Sequence, residues 1–244
     1  MHILPVVVDS LYKKIGSREI LHNITFNVSD GEIFGLVGPN GAGKTTTMRV
    51  LATLLLPDSG KILVDNLDIV KDQSKIRRIL AYVPEEAGIY KNVTGYEYLR
   101  FVAHMFSDSD ETAEGMVKRG AALSGLDSRL NDKTKGYSRG MKRRLQIARA
   151  LMVNPRLALL DEPTAGIDVT YTVKIRKMVR EYAKGSGAMV ILSSHNMYEV
   201  EALCDRIAMI HHGNIIALGT PRDLAGSERD LEAAFMKMVG DYEV

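Results

Sequence analysis

Nine residues, Gly38-Pro39-Asn40-Gly41-Ala42-Gly43-Lys44-Thr45-Thr46, constrain this chain more than any others. Residues 32–37 (EIFGLV) before them read as a short buried strand, and residues 47–56 after them as a helix closed by Pro57. Glycines at 38, 41 and 43 let the backbone turn tightly and aim successive N–H groups inward, which makes a nest for an anion. Lys44 is placed to reach the β- and γ-phosphates of a nucleotide, and Thr45 to set its hydroxyl on Mg²⁺. The helix that starts here turns its positive end toward both. Strand, glycine-rich loop and helix in this order point to an α/β body.

The rest of the composition bounds that body. The chain has 244 residues, 45% of them apolar, enough for one large domain or a core with a subdomain. Lys and Arg number 32 against 30 Asp and Glu, a net charge of +2, so no sequence-wide field draws the chain to nucleic acid or anionic lipid. Cys204 is the single cysteine, which excludes an internal disulfide and fits a reducing compartment. The first apolar run, Ile3 to Val8, is followed at once by Asp9, Lys13 and Lys14, so no signal peptide is expected. No apolar run approaches the ~20 residues of a spanning helix. Any membrane part is expected on another chain.

Residues 3–15 and 20–28 suit two antiparallel strands, 61–64 and 80–83 further strands, and 73–80 a short helix. Thr94 with Glu97 forms a capping box, opening a helix whose inward stripe is Tyr98, Leu99, Val102, Met105 and Phe106. Further helices are expected over 110–124, weakened by Gly115 and Gly120, and over 139–153. Strand signals are absent from 93 to 153, which reads as a helical insertion. The α/β alternation then resumes with strands 157–160 and 189–193 and helices 170–184 and 197–204. A hairpin follows around Gly213-Asn214, and from Leu231, with Phe235 and Met238, an amphipathic helix. The expected fold class is α/β: a phosphate-loop NTPase core with a mostly parallel sheet, an antiparallel β flank and an inserted helical subdomain. Residues 1–84 and 154–224 would form the core, 85–153 the subdomain and 225–244 a helical tail.

Ligands of parallel α/β sheets bind beyond the carboxyl ends of the strands. The phosphate loop, Asp161-Glu162 and His195 each follow a strand, and converge if those strands are neighbours. Asp161 is then able to hold Mg²⁺ through its shell and Glu162 to polarise an attacking water. A solvated acidic turn is the alternative for the two acids. For His195, in Ser193-Ser194-His195-Asn196, a simple helix cap fits its position equally well.

The phosphate loop, Tyr137-Ser138-Arg139-Gly140-Met141, the acidic strand end from Leu157 to Pro163, Asp168 and His195 together resemble the nucleotide-binding subunit of ATP-binding-cassette (ABC) transporters, over about residues 6–224. The resemblance implies a head-to-tail dimer, expected to be of identical subunits, with ATP and Mg²⁺ between them. One subunit supplies the nucleotide-binding loop 38–46, Thr45 and Asp161 at the metal, and Lys44, Glu162 and His195 for catalysis. The other presents Ser138, Arg139, Gly140 and Met141 to the γ-phosphate. Asp168 matches the loop that crosses the dimer axis. It further implies a separate polytopic membrane permease, a cytoplasmic position on the inner membrane face through that permease, and no nucleic-acid partner.

Three departures stand out. Arg139 and Met141 replace a glycine and the glutamine of the family's LSGGQ, which leaves the phosphate contacts of Ser138 and Gly140 and alters those to the sugar. Glu85 stands at the family's metal-contacting glutamine, a swap shared with the drug- and lipid-export branch. Ile15 stands where an aromatic stacks on adenine; it covers the base without the stacking term, on the order of 1 kcal/mol, while Tyr12 falls on the opposite strand face.

Lys142, Arg143 and Arg144 lack an accompanying aromatic platform and read as a solvated helix face. The twelve methionines read as core filler. Ala87, Ile89 and Tyr90 are candidates for the groove that takes a helix of the permease, or for internal packing. Two other classes remain in play on sequence grounds. A soluble cassette ATPase of DNA repair or the ribosome would carry a coiled-coil insertion or a second cassette, and a phosphate-loop kinase or GTPase would carry an acceptor pocket or guanine-reading motif; neither feature is found.

Overall fold

A computed structural model describes residues 5–242. Ile3, where the first strand is expected to begin, lies outside them. Two sheets share the work. Strands β1 (Val6–Ile15), β2 (Arg18–Val28), β4 (Ser59–Val64) and the short β5 (Leu67–Asp68) form an antiparallel sheet in the order β2-β1-β4-β5. The second sheet runs β10-β9-β3-β8-β7-β6, from β3 (Ile33–Val37), β6 (Leu80–Val83), β7 (Leu157–Asp161), β8 (Met189–Ser194), β9 (Arg206–His211) and β10 (Asn214–Gly219). Its strands pair in parallel except for the β9–β10 hairpin.

Every residue of β3, β7 and β8 is buried, which explains why they read as unbroken apolar runs rather than alternating ones. Their period of two still divides the interior. Phe34, Leu36, Leu159 and Ile191 face a core shared with the antiparallel sheet and helix α1 (Lys44–Leu51). Val37, Leu160, Val190 and Leu192 face the opposite core. Helices α5 (Arg139–Leu151), α6 (Val169–Ser186) and α7 (Met197–Leu203) cover that side, joined by α9 (Leu231–Tyr242) through Leu231 and Phe235. The docked amphipathic helix at the end of the chain is therefore present; the expected tail boundary at Leu224 falls inside α8 (Pro221–Ala225).

The helical region has its own core. Helix α2 (Gln73–Ile79) precedes it, and α3 (Gly95–Phe106) and α4 (Asp110–Ser124) pack with α5 around Leu99, Val102, Leu130, Tyr137, Met141 and Leu145. The capping box forms as read: Thr94 Oγ1 accepts from the Glu97 N–H at 3.1 Å and Glu97 Oε2 from the Thr94 N–H at 2.7 Å, together worth on the order of 1 kcal/mol. Gly120 does not break α4; it lets the helix approach Met152, whose Sδ would sit 2.9 Å from an added Cβ.

Part of the expected α3 stripe is corrected. Tyr98, Leu99 and Val102 are buried, whereas Met105 and Phe106 are mostly exposed. At 100° per residue Met105 lies about 90° from the centre of the buried arc, and Phe106 is the last residue of the helix, lining a cleft with Tyr82 and Arg149. Among the described residues no helix is long and apolar enough to cross a membrane.

Candidate active site

The loop 38–46 joins β3 to α1. Gly43, at φ 111°, holds a left-handed turn just before the helix, and an added Cβ would lie 2.6 Å from Leu21 Cδ2, so only glycine fits there. The N–H groups that open α1 have no partner within the helix, which leaves them as donors for an anion. Lys44 lies across the loop, its Nζ donating to Gly38 O at 2.7 Å and Pro39 O at 3.0 Å.

The sheet order settles convergence. β8 lies between β3 and β7, so the segments after these three strands are adjacent. Asp161, the last residue of β7, accepts from Thr45 Oγ1 at 3.2 Å and Ser193 Oγ at 2.5 Å through Oδ1, and from Tyr82 OH at 3.2 Å through Oδ2. Glu162 follows with φ 47°, a strained conformation for a non-glycine residue that turns its side chain out of strand direction. Its N–H donates to Ser193 Oγ at 2.9 Å. Its carboxylate lies 3.6 Å from Lys44 Nζ and 2.9 Å from His195 Nδ1, with Lys44 and Glu162 both 6% exposed at the side chain. The paired acids are not a solvated turn. His195 faces Glu162, and the following helix is capped by Asn196, whose Oδ1 accepts from the Glu199 N–H.

Burial pulls the Lys44 ammonium below its ordinary pKa, while Glu162, Asp161 and Glu85 oppose that fall. Burial, reinforced by Asp161, raises the Tyr82 phenol to about 12, so it stays a donor at neutral pH. Glu85, Lys44, Thr45 and Glu162 line one cavity of about 250 Å³ with Asn40, Gly41, Gly43, Thr46, Arg18 and Ile20. Among the described residues no group of three or more His, Cys, Asp or Glu is placed to cage a metal. Mg²⁺ in phosphate sites needs one or two protein oxygens, the rest coming from phosphate and water; Thr45 Oγ1 and the Asp161 carboxylate meet that requirement.

The structure places the remaining expected residues elsewhere. Ser138 caps α5, its Oγ accepting from the Met141 N–H at 3.2 Å, and both Ser138 and Arg139 are exposed. Gly140 is covered by the Tyr171 ring. Asp168 caps α6, accepting from the Tyr171 N–H at 3.1 Å, and Arg139 reaches the Gly166 carbonyl two residues before it. Ile15, half-exposed, pairs across the β1–β2 hairpin with Arg18. Tyr12 packs instead under Lys14 and against His22.

One reading is overturned. Arg143 and Arg144 are 5% and 8% exposed, not a solvated face. α5 is buried on almost every side, so charge clustering along it does not mark an outer surface. Tyr82, Arg18 and Ile20 are not singled out by the sequence, and Ser193 and Arg143 are named there without their roles at the site. Only Ser193 leaves a signal of its role in the sequence, as a hydroxyl ending an otherwise apolar strand.

Comparison with known proteins agrees with this geometry. The family described as ABC transporter matches residues 21–165. The linearmycin resistance ATP-binding protein LnrL of Bacillus subtilis is 40% identical over 216 residues, covering 88% of this chain and 69% of that protein. The lipopolysaccharide export system ATP-binding protein LptB of Escherichia coli is 34% identical over 222 residues, covering 90% and 92%. Among solved structures, an ATP-binding subunit of an ABC transporter superposes with TM-score 0.83 at 27% identity, over 97% of this chain and all of that one. The cassette MJ0796, a dimer in a post-hydrolysis state bound to ADP and Pi, superposes with TM-score 0.78 at 25% identity, over 89% and 99%. A phosphate loop with a magnesium-fitting Thr-Asp pair and a buried glutamate between lysine and histidine thus recurs in a chain that aligns along most of its length with such subunits: the protein belongs to the ABC transporter family, as an ATP-binding and ATP-hydrolysing subunit.

Proposed function

We propose that two copies of this chain close head to tail over two ATP molecules and that their opening after hydrolysis drives a separate membrane permease working as an exporter. The observation that carries the reading is the separation of two anion-binding ends within one chain. Lys44, Thr45 and Glu162 line one cavity, with Asp161 bonded to Thr45 and His195 to Glu162 behind them, while Ser138, exposed at the start of α5, is not among the residues lining it. Ser138 and Arg139, exposed at the tip of α5, are therefore on the surface that would meet a γ-phosphate held by a second copy.

Within that arrangement the roles follow from chemistry. The N–H groups of Gly41 and of 43–46 and the Lys44 ammonium hold the phosphate chain, while Asn40, Pro39 and Ala42, whose N–H donates to the Pro39 carbonyl, shape the loop. Mg²⁺, held by Thr45 and Asp161 with Glu85 near it, would neutralise charge on the β- and γ-oxygens. Glu162 accepts a hydrogen bond from the water that attacks the γ-phosphorus; the bond to the bridging oxygen breaks, giving ADP and phosphate. His195 fixes the Glu162 carboxylate, and Asp168 with Arg139 lines the closing surface. Positioning and charge supply most of the acceleration.

Export is supported by the relatives, whose names include linearmycin resistance and lipopolysaccharide export. The permease contact has a surface on which to fall. Tyr90, 59% exposed, packs edge-on against Phe101, itself 52% exposed, with Met105 and Phe106 further along α3. This apolar patch sits beside the Glu85–Ile89 segment. A permease docked there would hold the chain peripherally on the inner membrane face.

The test is Glu162→Gln with ATP and Mg²⁺, followed by light scattering. A stable species of twice the monomer mass that disperses when ATP is removed is expected. A chain that stays monomeric while binding ATP would refute the two-copy arrangement.

A further inference from the structure

All five N–H donors of Arg143 are engaged, each with its own acceptor, and every acceptor is a main-chain carbonyl. Nε donates to Pro163 O at 3.1 Å; Nη1 to Pro84 O at 2.6 Å and Glu85 O at 3.2 Å; Nη2 to Asp161 O at 2.5 Å and Glu162 O at 3.1 Å. Burial pushes the guanidinium's pKa down to about 10, which leaves it a cation at neutral pH. A buried cation is costly and is retained only where its donors are fully used. Two of these carbonyls belong to the segment carrying Glu85, and three to the segment carrying Asp161 and Glu162.

The same helix holds the first of these segments at a second point, Gln146 Nε2 donating to Ala87 O at 2.5 Å. Arg143 itself sits five residues beyond Ser138, about 7.5 Å along the axis of α5. One helix thus carries the exposed serine at its tip and, one to two turns further on, the side chains that hold both carboxylate-bearing segments of the chain's own nucleotide site.

We propose that Arg143 is a positioning residue that couples the two nucleotide sites of the dimer. When Ser138 engages a phosphate on the second copy, displacement of α5 is passed through the Arg143 guanidinium to Glu162 and Glu85 of the first site. The planar fork is essential, because its donors point along fixed and divergent directions to two segments at once; an ammonium offers three donors from one point. The inference rests on the two-copy reading above.

The experiment uses the full chain and compares wild type, Arg143→Lys and Gln146→Leu. Steady-state hydrolysis gives kcat and the Hill coefficient for ATP, and a non-hydrolysable ATP analogue gives the affinity of dilute monomer. For Arg143→Lys the expected result is a kcat at least about tenfold lower, a Hill coefficient falling from above unity to unity, and a monomer affinity close to wild type, with a melting temperature lower by a few degrees because at least two carbonyls lose their donor. Gln146→Leu, which keeps every Arg143 contact, should fall between the two. A wild-type Hill coefficient of unity overturns the coupling, and so does Arg143→Lys with unaltered kcat and cooperativity. A kcat loss matched by an equal loss of monomer affinity also overturns it, since it marks a fold contact only. Absence of the ATP-dependent dimer in Glu162→Gln, where Arg143 is intact, would instead count against the two-copy reading itself.

Discussion

His195 Nδ1 lies 2.9 Å from Glu162 Oε2, and the histidine side chain is half-exposed while the glutamate is buried. The contact runs between the ends of adjacent parallel strands, so the sheet itself fixes its length. It leaves the other ring nitrogen free to reach a ligand, and it holds the carboxylate in one rotamer.

Replacing His195 by Ala is therefore expected to lower kcat by about 10²-fold, with nucleotide affinity nearly unchanged. Single-turnover hydrolysis alongside equilibrium binding separates the two quantities. Equal losses in both would assign His195 to binding instead.

Ile15 and Arg18, paired at the end of the first hairpin, offer a purine an aliphatic cover and a cation but no guanine-reading group. Discrimination between ATP and GTP should stay below about a hundredfold, because a missing aromatic stack removes only on the order of 1 kcal/mol from either base. Competition binding checks this; a larger preference for ATP would require a base contact not provided by these side chains.

Glu199 is 3% exposed, accepts from Ser194 Oγ at 2.8 Å, and is pushed up in pKa chiefly by burial. A carboxyl whose folded pKa is raised contributes stability that is fully present below the unfolded value, about 4.3, and is lost as pH rises through the folded value. Glu199→Gln keeps an acceptor for Ser194 and removes that loss. Its melting temperature at pH 8 should exceed wild type by a few degrees (about 1 kcal/mol), with the difference vanishing near pH 4. A lower melting temperature at pH 8 would show that the fold uses the charged form.

Gly35 lies mid-β3 where α7 and β9 close in: an added Cβ would meet Val200 Cγ1 at 2.8 Å, Cys204 Sγ at 2.9 Å and Ile207 Cγ2 at 3.0 Å. Gly35→Val is expected to destabilise by about 1–3 kcal/mol and to shift the phosphate loop that follows. Urea unfolding with unchanged midpoint would mean that α7 yields without cost.

Much of this protein is written locally. Phosphate-loop chemistry depends on which residues follow one another, so 38–46 was legible, as were the Thr94 cap, the apolar strands and the acids that end β7, because each obeys a short-range rule of period, turn or cap. The helix after the loop begins three residues before its expected start, since glycine and lysine carry no apolar period, and it ends at Leu51 rather than running to Pro57, because the chain turns at Thr53, φ 58°. Other features exist only after folding. The order β3-β8-β7 brings Glu162, His195 and Lys44 together, and no pattern within any one strand encodes its neighbour. Arg143 is the sharpest instance: three basic residues in a row look solvated, yet the helix bearing them is enclosed, and the guanidinium's acceptors are backbone carbonyls some 20 and 60 residues away in sequence. A carbonyl has no residue identity, so nothing in the sequence marks it as a partner; only its position in three dimensions does.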